Sequence, residues 1–169
     1  MSTLPDYRIR DLVAAVNLIT PYEEKQLNPA SYDVTLGDMV LTEVAGQPGE
    51  WNGVDLADGS TYWLQPNEFV LACTREVIRL PRNIEAIFCL KSSRGREGYN
   101  HMLAAYCDPG FIGRVTLEIH NCTRYTPLPL FRGLRIGQLR FAEMESCPKR
   151  SYAETGRYHK DLEPMPSKG

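Results

Sequence analysis

Hydrophobic and polar positions change period along this chain. Near the N-terminus Ile9, Leu12, Val13 and Val16 recur at helical spacing. They predict a short packing helix capped by Asp6, with Pro21 beyond its end. In residues 27–38 the second half alternates like a strand and closes at a glycine turn, with Asp33 read as a turn or surface carboxylate. Residues 46–60, rich in Gly, Pro, Asp and Asn, read as a surface loop or irregular hairpin. Strand-like runs then follow at 69–74, 76–80, 85–90, 102–107, 114–121, 127–131 and 134–142. Turn signals separate them at Pro66-Asn67, Pro81-Arg82-Asn83, Asp108-Pro109-Gly110 and Arg132-Gly133. Many short strands and one short N-terminal helix predict a mainly β barrel or jelly roll. After Phe141 the pattern fades. Residues 1–147 are the expected β domain. Residues 148–169 are a polar tail, either a frayed terminus or a lid that orders over a ligand.

Composition narrows the function classes. The 169 residues, 43% of them hydrophobic, suffice for one domain with a sizeable core. A net charge of −2 argues against non-specific nucleic-acid binding, so any basic cluster is local. No apolar run approaches the roughly 18 residues of a membrane span. Asp6, Arg8, Arg10 and Asp11 interrupt any signal-peptide core, and a cytoplasmic protein without a membrane partner is expected. Five widely spaced cysteines, without a Cys-x-x-Cys or a nearby histidine pair, predict neither a disulfide framework nor a structural zinc. Most of them are expected to be buried small hydrophobes.

Candidate chemistry concentrates between residues 91 and 118. Lys91-Ser92-Ser93-Arg94-Gly95-Arg96 puts two hydroxyls, three cations and a glycine into six residues. Such a mixture suits a phosphate-bearing ligand, through hydroxyl and backbone donors and neutralising cations; the plainer reading is a charged loop with Arg94 facing solvent. Neither a Walker-type loop nor a dinucleotide fingerprint is present. Asp108-Pro109-Gly110 is a turn able to fold this block towards the strand that follows. On that strand Thr116, Glu118 and His120 share one face. The face either meets solvent or lines a pocket. In the second reading Glu118 is a general base facing Ser92 and Arg96.

These motifs, in this order, resemble the deoxycytidine triphosphate deaminases, which share a fold with the trimeric dUTPases. Residues 27–38 are similar to the family's Gln-Pro-x-Ser-x-Asp-Val-x-Leu segment, and residues 64–71 to its His-Pro-Gly-Glu-Phe-x-Leu strand. Residues 91–96 resemble its Lys/Arg-Ser-Ser-Leu-x-Arg signature. Asp108-Pro109-Gly110-Phe111 with Leu117-Glu118, residues 133–139, and the tail from Arg157-Tyr158 through Pro164-Met165-Pro166-Ser167 also match.

The resemblance implies a distorted jelly-roll subunit, a homotrimer, and active sites shared between subunits. It implies hydrolytic deamination of dCTP, supplying dUMP for thymidylate synthesis when pyrophosphate release follows. By position Glu118 is the general base and acid, and Ser92 and Arg96 hold and polarise the water and the base. Lys91, Ser93, Tyr152 and Arg157 meet the triphosphate, which brings Mg2+. Asp108, Thr116 and Gln138 line the nucleoside pocket; Arg94, Gly95, Leu117 and Asp161 complete the implied contacts. Zinc deaminases carry a His-x-Glu and Pro-Cys-x-x-Cys signature that this chain lacks, so no zinc is expected.

Departures from the family pattern fall at Arg94 (usually Leu), Leu103 (usually Thr) and Asp161 (usually a phosphate-facing Gln). They bear on dTTP regulation and leave open a monophosphate or modified cytosine as substrate. Lys91, Ala105 and Gln138 resemble the bifunctional members that proceed to dUMP. A plain dUTPase, or a catalytically silent nucleotide-sensing regulator, are the other readings.

Overall fold

The computed structural model describes residues 2–102 and 106–169; expectations that fell on Leu103 and Ala105 lie outside them. The chain opens with β1 (Ser2–Thr3), α1 (Asp6–Val16), β2 (Ile19–Thr20) and β3 (Leu27–Asn28). Next come β4 (Ser31–Glu43), β5 (Trp51–Asp55), β6 (Thr61–Leu64), β7 (Phe69–Arg79) and β8 (Ile84–Leu90). Then follow α2 (Ser92–Glu97), β9 (Tyr99–Asn100), β10 (Tyr106–Cys107), β11 (Ile112–Asn121), β12 (Leu128–Phe131), β13 (Arg135–Glu143) and α3 (Tyr152–Thr155).

The main sheet runs β10-β8-β13-β4-β7-β11-β9, antiparallel throughout, and β12 pairs with β6 alongside it. It curls around a core that includes Tyr32, Val34, Leu36, Phe88, Leu117, Ile136 and Phe141. This is the expected mainly β, jelly-roll-like architecture. Burial of these apolar side chains, each contributing roughly 1.5–3 kcal/mol, drives the curl.

Several local expectations are corrected. Helix α1 is capped by Pro5 rather than Asp6, with no side-chain cap bond; Asp6 sits in the first turn, where its charge suits the helix dipole. Residues 46–60, by contrast, follow the hairpin alternative: they contain β5, paired antiparallel to the long β4 from Met39↔Asp55 to Glu43↔Trp51. The runs at 69–74 and 76–80 are one strand that continues through Arg75, and beside it Glu76 is a buried acceptor. Its carboxylate takes hydrogen bonds from the Thr35 N–H (2.9 Å), the Thr35 hydroxyl (2.8 Å) and the Gln26 amide (3.3 Å). Of the cysteines only Cys73 and Cys107 are buried; Cys89 is half-buried, and Cys122 and Cys147 are exposed. Among the described residues no helix is long and apolar enough to cross a membrane.

Candidate functional site

Strand β11 alternates between half-buried and buried residues along its whole length. The buried set, including Val115, Leu117 and Ile119, packs into the core. Arg114, Thr116, Glu118 and His120 occupy the other face. A register shift between Arg114 and Thr116, where the Val115 N–H donates to the Thr74 hydroxyl at 3.0 Å, sits just before Glu118. Bulges of this kind re-aim side chains beside functional sites.

Glu118 borders a cavity of about 730 Å³. Opposite it on β7 is Leu71, and His120 faces Phe69. Phe69 in turn meets Trp51 edge-on at 6.2 Å. These apolar neighbours partly desolvate the carboxylate. Its Oε2 is buried with no hydrogen-bond partner among the described residues, and burial raises its pKa above the ordinary glutamate value, partly offset by a backbone hydrogen bond. A carboxylate in this state is a proton acceptor waiting for a donor.

The turn and the tail close the cavity. Asp108 and Thr116 line it with Glu118, as do Tyr152, Tyr158 and Asp161. Gly110 has φ +86°, and a Cβ there would lie 2.2 Å from the Ser151 hydroxyl, so glycine lets the tail approach the turn. The Tyr152 N–H donates to the Pro109 carbonyl at 3.1 Å, and its ring packs on Phe111 at 5.7 Å. Further on, Lys160 N–H donates to Ile112 and Arg114 N–H to Asp161, stitching the tail to β11. The segment is a docked wall of the cavity and not a frayed end. Arg157 is exposed and does not line the cavity.

The other half of the sequence-derived set lies elsewhere on the chain. Residues 91–96 were read as a loop; they form α2, which ends at Gly98 (φ +106°) with the cap N–H bonded to Arg94 and Gly95 carbonyls. That glycine, two residues past Arg96, is the helix-stop signal the loop reading missed. Lys91 is not free. Its Nζ donates at 2.6 Å to Asp33 Oδ2, whose other oxygen accepts from Asn28 at 2.9 Å. Asp33 is therefore buried and paired, not a surface carboxylate, because β4 is a central strand covered on both faces. Arg94 does not face open solvent: it pairs with Glu97 at 2.6 Å and lies 6.0 Å from the centre of the Tyr99 ring. Ser92, Ser93, Gly95 and Arg96 are exposed, and no side-chain hydrogen bond or ion pair engages Ser92, Ser93 or Arg96 among the described residues.

Within one chain, then, Glu118 does not face Ser92 or Arg96, and the Asp108 turn does not fold the two blocks together: no residue of α2 lines the Glu118 cavity. Gln138 is also on the far side, where its Oε1 accepts from the Ser31 hydroxyl at 2.8 Å beside the Asp33 pair. The Leu117 side chain is core, 1% exposed, and can contribute only its backbone. Phe69, Leu71, Tyr106 and Arg114 line the cavity and were missed. The signal for Phe69 and Leu71 was their two-residue spacing on the strand paired with Glu118. Among the described residues no cluster of three His, Cys, Asp or Glu side chains forms a metal cage.

Comparison with known proteins matches this arrangement to one family. A dCTP deaminase-like family covers residues 3–144. A "dCTP deaminase, dUMP-forming" of Dictyoglomus turgidum is 36% identical over 159 residues, spanning 86% of this chain and 81% of that protein. One of the same description from Persephonella marina is 36% identical over 166 residues, spanning 92% and 90%. Among solved structures, a 2'-deoxycytidine 5'-triphosphate deaminase from Agrobacterium tumefaciens superposes with TM-score 0.67 at 25% identity. The match covers 83% of this chain but 48% of that one, so this chain spans about half its length. A dUTPase from phage phi11 of S. aureus, at 13% identity and TM-score 0.53, shares the fold. The chain belongs to the dCTP deaminase-like family.

Proposed function

We propose that the chain is a deaminase of dCTP that carries its product on to dUMP. The observation that carries the reading is the buried, unpartnered Glu118 oxygen in a cavity of nucleotide size, within a family whose relatives are described as dUMP-forming dCTP deaminases. Glu118 takes a proton from water as the oxygen attacks C4 of cytosine. It delivers that proton to N3 and then assists the departing amine, so dCTP and water give dUTP and ammonia. In the second step another water attacks the α-phosphorus, and dUTP and water give dUMP and pyrophosphate. Asp108 borders the same cavity, which supports giving it the role of orienting that second water.

Two observations support a site completed by a second copy, in a homotrimer. The cavity's lining cation, Arg114, is already paired with Asp38 at 3.0 Å. The exposed Ser92, Ser93 and Arg96 have phosphate-binding chemistry and no internal partner. A neighbour's α2 over this cavity joins base and cations, with Ser92 and Arg96 polarising the reacting base and Ser93 meeting phosphate. Lys91 then acts mainly through Asp33, as the anchor of α2. The tail, residues 148–169, is the lid, with Tyr152 against the turn. Mg2+ fits as a companion of the triphosphate, bound through its phosphates and not by protein side chains: among the described residues no cluster of three His, Cys, Asp or Glu side chains offers a cage. When bound it neutralises phosphate charge. Five unpaired thiols suit the cytoplasm.

Incubation of the purified protein with dCTP, followed by phosphorus NMR and ammonia release, tests the reading. Growth of dUMP and pyrophosphate together is expected. Accumulation of dUTP as the sole nucleotide product removes the second step, and absence of ammonia removes the first.

A further inference from the structure

Asp108, Glu118 and Asp161 put three carboxylates on the wall of a cavity read above as the seat of a polyanion. Asp161 comes from the tail, and its place is set by the backbone: its carbonyl accepts from the Arg114 N–H at 2.9 Å. The approach is close enough that a Cβ at Gly113 (φ +152°) would lie 2.8 Å from that carbonyl. The carboxylate is thus tied to β11, two strand positions from Thr116 and four from Glu118.

One cation answers it. Lys168 Nζ donates to Asp161 Oδ2 at 2.7 Å and to the Arg157 carbonyl at 2.9 Å. The ammonium also lies 5.0 Å from the centre of the Tyr158 ring, and the Lys168 N–H donates to the Tyr158 hydroxyl at 3.0 Å. Both members of the pair are partly shielded, with 33% and 19% of the Lys168 and Asp161 side chains exposed. Tyr158 and Ser167, on either side of this clasp, line the cavity.

We propose that Lys168 is a positioning residue that makes the cavity accept a nucleotide's phosphates, by neutralising Asp161 where that carboxylate borders the site. The inference rests on the reading of the cavity as a nucleotide site. Its charge logic separates it from a purely mechanical clasp. A clasp fails when either partner is removed. A neutralising cation matters only while the carboxylate is present, and matters more the more charge the ligand carries.

The test compares wild type with Lys168→Ala, Asp161→Asn and the double variant, and with Lys168→Arg as the charge-conserving control. Lys168→Ala is expected to raise KM for dCTP roughly tenfold, the scale of one uncompensated like charge near a phosphate at an effective dielectric of about 20. Its kcat stays within about twofold, since the residue does not touch the reacting atoms. Asp161→Asn keeps or lowers KM, the double variant returns towards wild type, and Lys168→Arg stays near it. An unchanged KM in Lys168→Ala overturns the proposal. So does an equal rise in Asp161→Asn with no recovery in the double variant. If the wild type leaves dCTP unreacted, the functional reading fails separately. Calorimetric binding of inorganic tripolyphosphate to the same proteins then decides: weakening in Lys168→Ala with recovery in the double variant supports the charge role, and equal affinity throughout overturns it.

Discussion

The β11 face and helix α2 are opposites in the same chain. On β11 a carboxylate is desolvated by Leu71 and its neighbours, left without a partner, and walled in by the chain's own tail. On α2 two hydroxyls and a guanidinium are exposed, held on a helix whose N-cap residue, Lys91, is anchored by a buried aspartate. Among the described residues the first region has a desolvated base and a cation already paired with Asp38, whereas the second has an exposed, unpaired guanidinium and its one carboxylate, Glu97, is paired with Arg94. Proton transfer needs a raised carboxylate pKa, which burial provides, whereas phosphate binding needs cations that burial alone would discharge or pair off. The chain keeps the two apart, and the proposed homotrimer would join them between copies.

The largest effect is expected from emptying the first region of its base. Glu118→Gln is to lower kcat for ammonia release at least about a hundredfold while equilibrium dCTP binding persists, the usual scale for losing a general base. Near-normal turnover would break the contrast at its root. Next, the separation itself is testable by complementation. Glu118→Gln and Arg96→Ala are each to be nearly inactive, and co-refolding them in equal amounts is to restore about a quarter of the sites if each site draws on two copies of the proposed closed ring. No recovery means that both groups act from one chain. Deleting residues 148–169 removes the wall but not the sheet. KM for dCTP is to rise about tenfold with a cooperative melt retained, because the tail excludes water and closes the site. Unchanged kinetics would make the tail irrelevant to the cavity.

The finest test is pH. Burial raises the Glu118 pKa, and the group works ionised, so the acid limb of kcat/KM is expected above the range of an exposed glutamate. The same shift has a stability signature. The folded state holds this proton to higher pH than the unfolded chain, so the Glu118 contribution to stability falls as pH rises from the unfolded to the folded value. Urea titrations of wild type and Glu118→Gln across that window should diverge towards higher pH, with the variant the more stable. Parallel curves would mean that Glu118 is solvated after all.

Much of this was legible in the chain. Alternation over residues 114–121 is a local property of a half-buried strand, so it already placed Thr116 and Glu118 on one face. Turn chemistry at Asp108-Pro109-Gly110 and the spacing of apolar runs predicted short strands around one core, and the ordered motifs pointed to the family. Some misreadings were local. Asp6 lost the cap to Pro5, and α2 was disguised by charge. The decisive ones were not local. Asp33 is buried because β4 happens to be central, with β13 and β7 on either side, and only then does it claim Lys91. Arg94 is drawn to Glu97 and Tyr99, and Asp161 is neutralised by a lysine seven residues on. Sequence determined which groups exist and which face of a strand carries them, because backbone geometry alone sets that period. Which charges stay available, and that Glu118 and Arg96 point into different spaces, was decided by packing, because desolvation and pairing depend on neighbours brought together from across the chain.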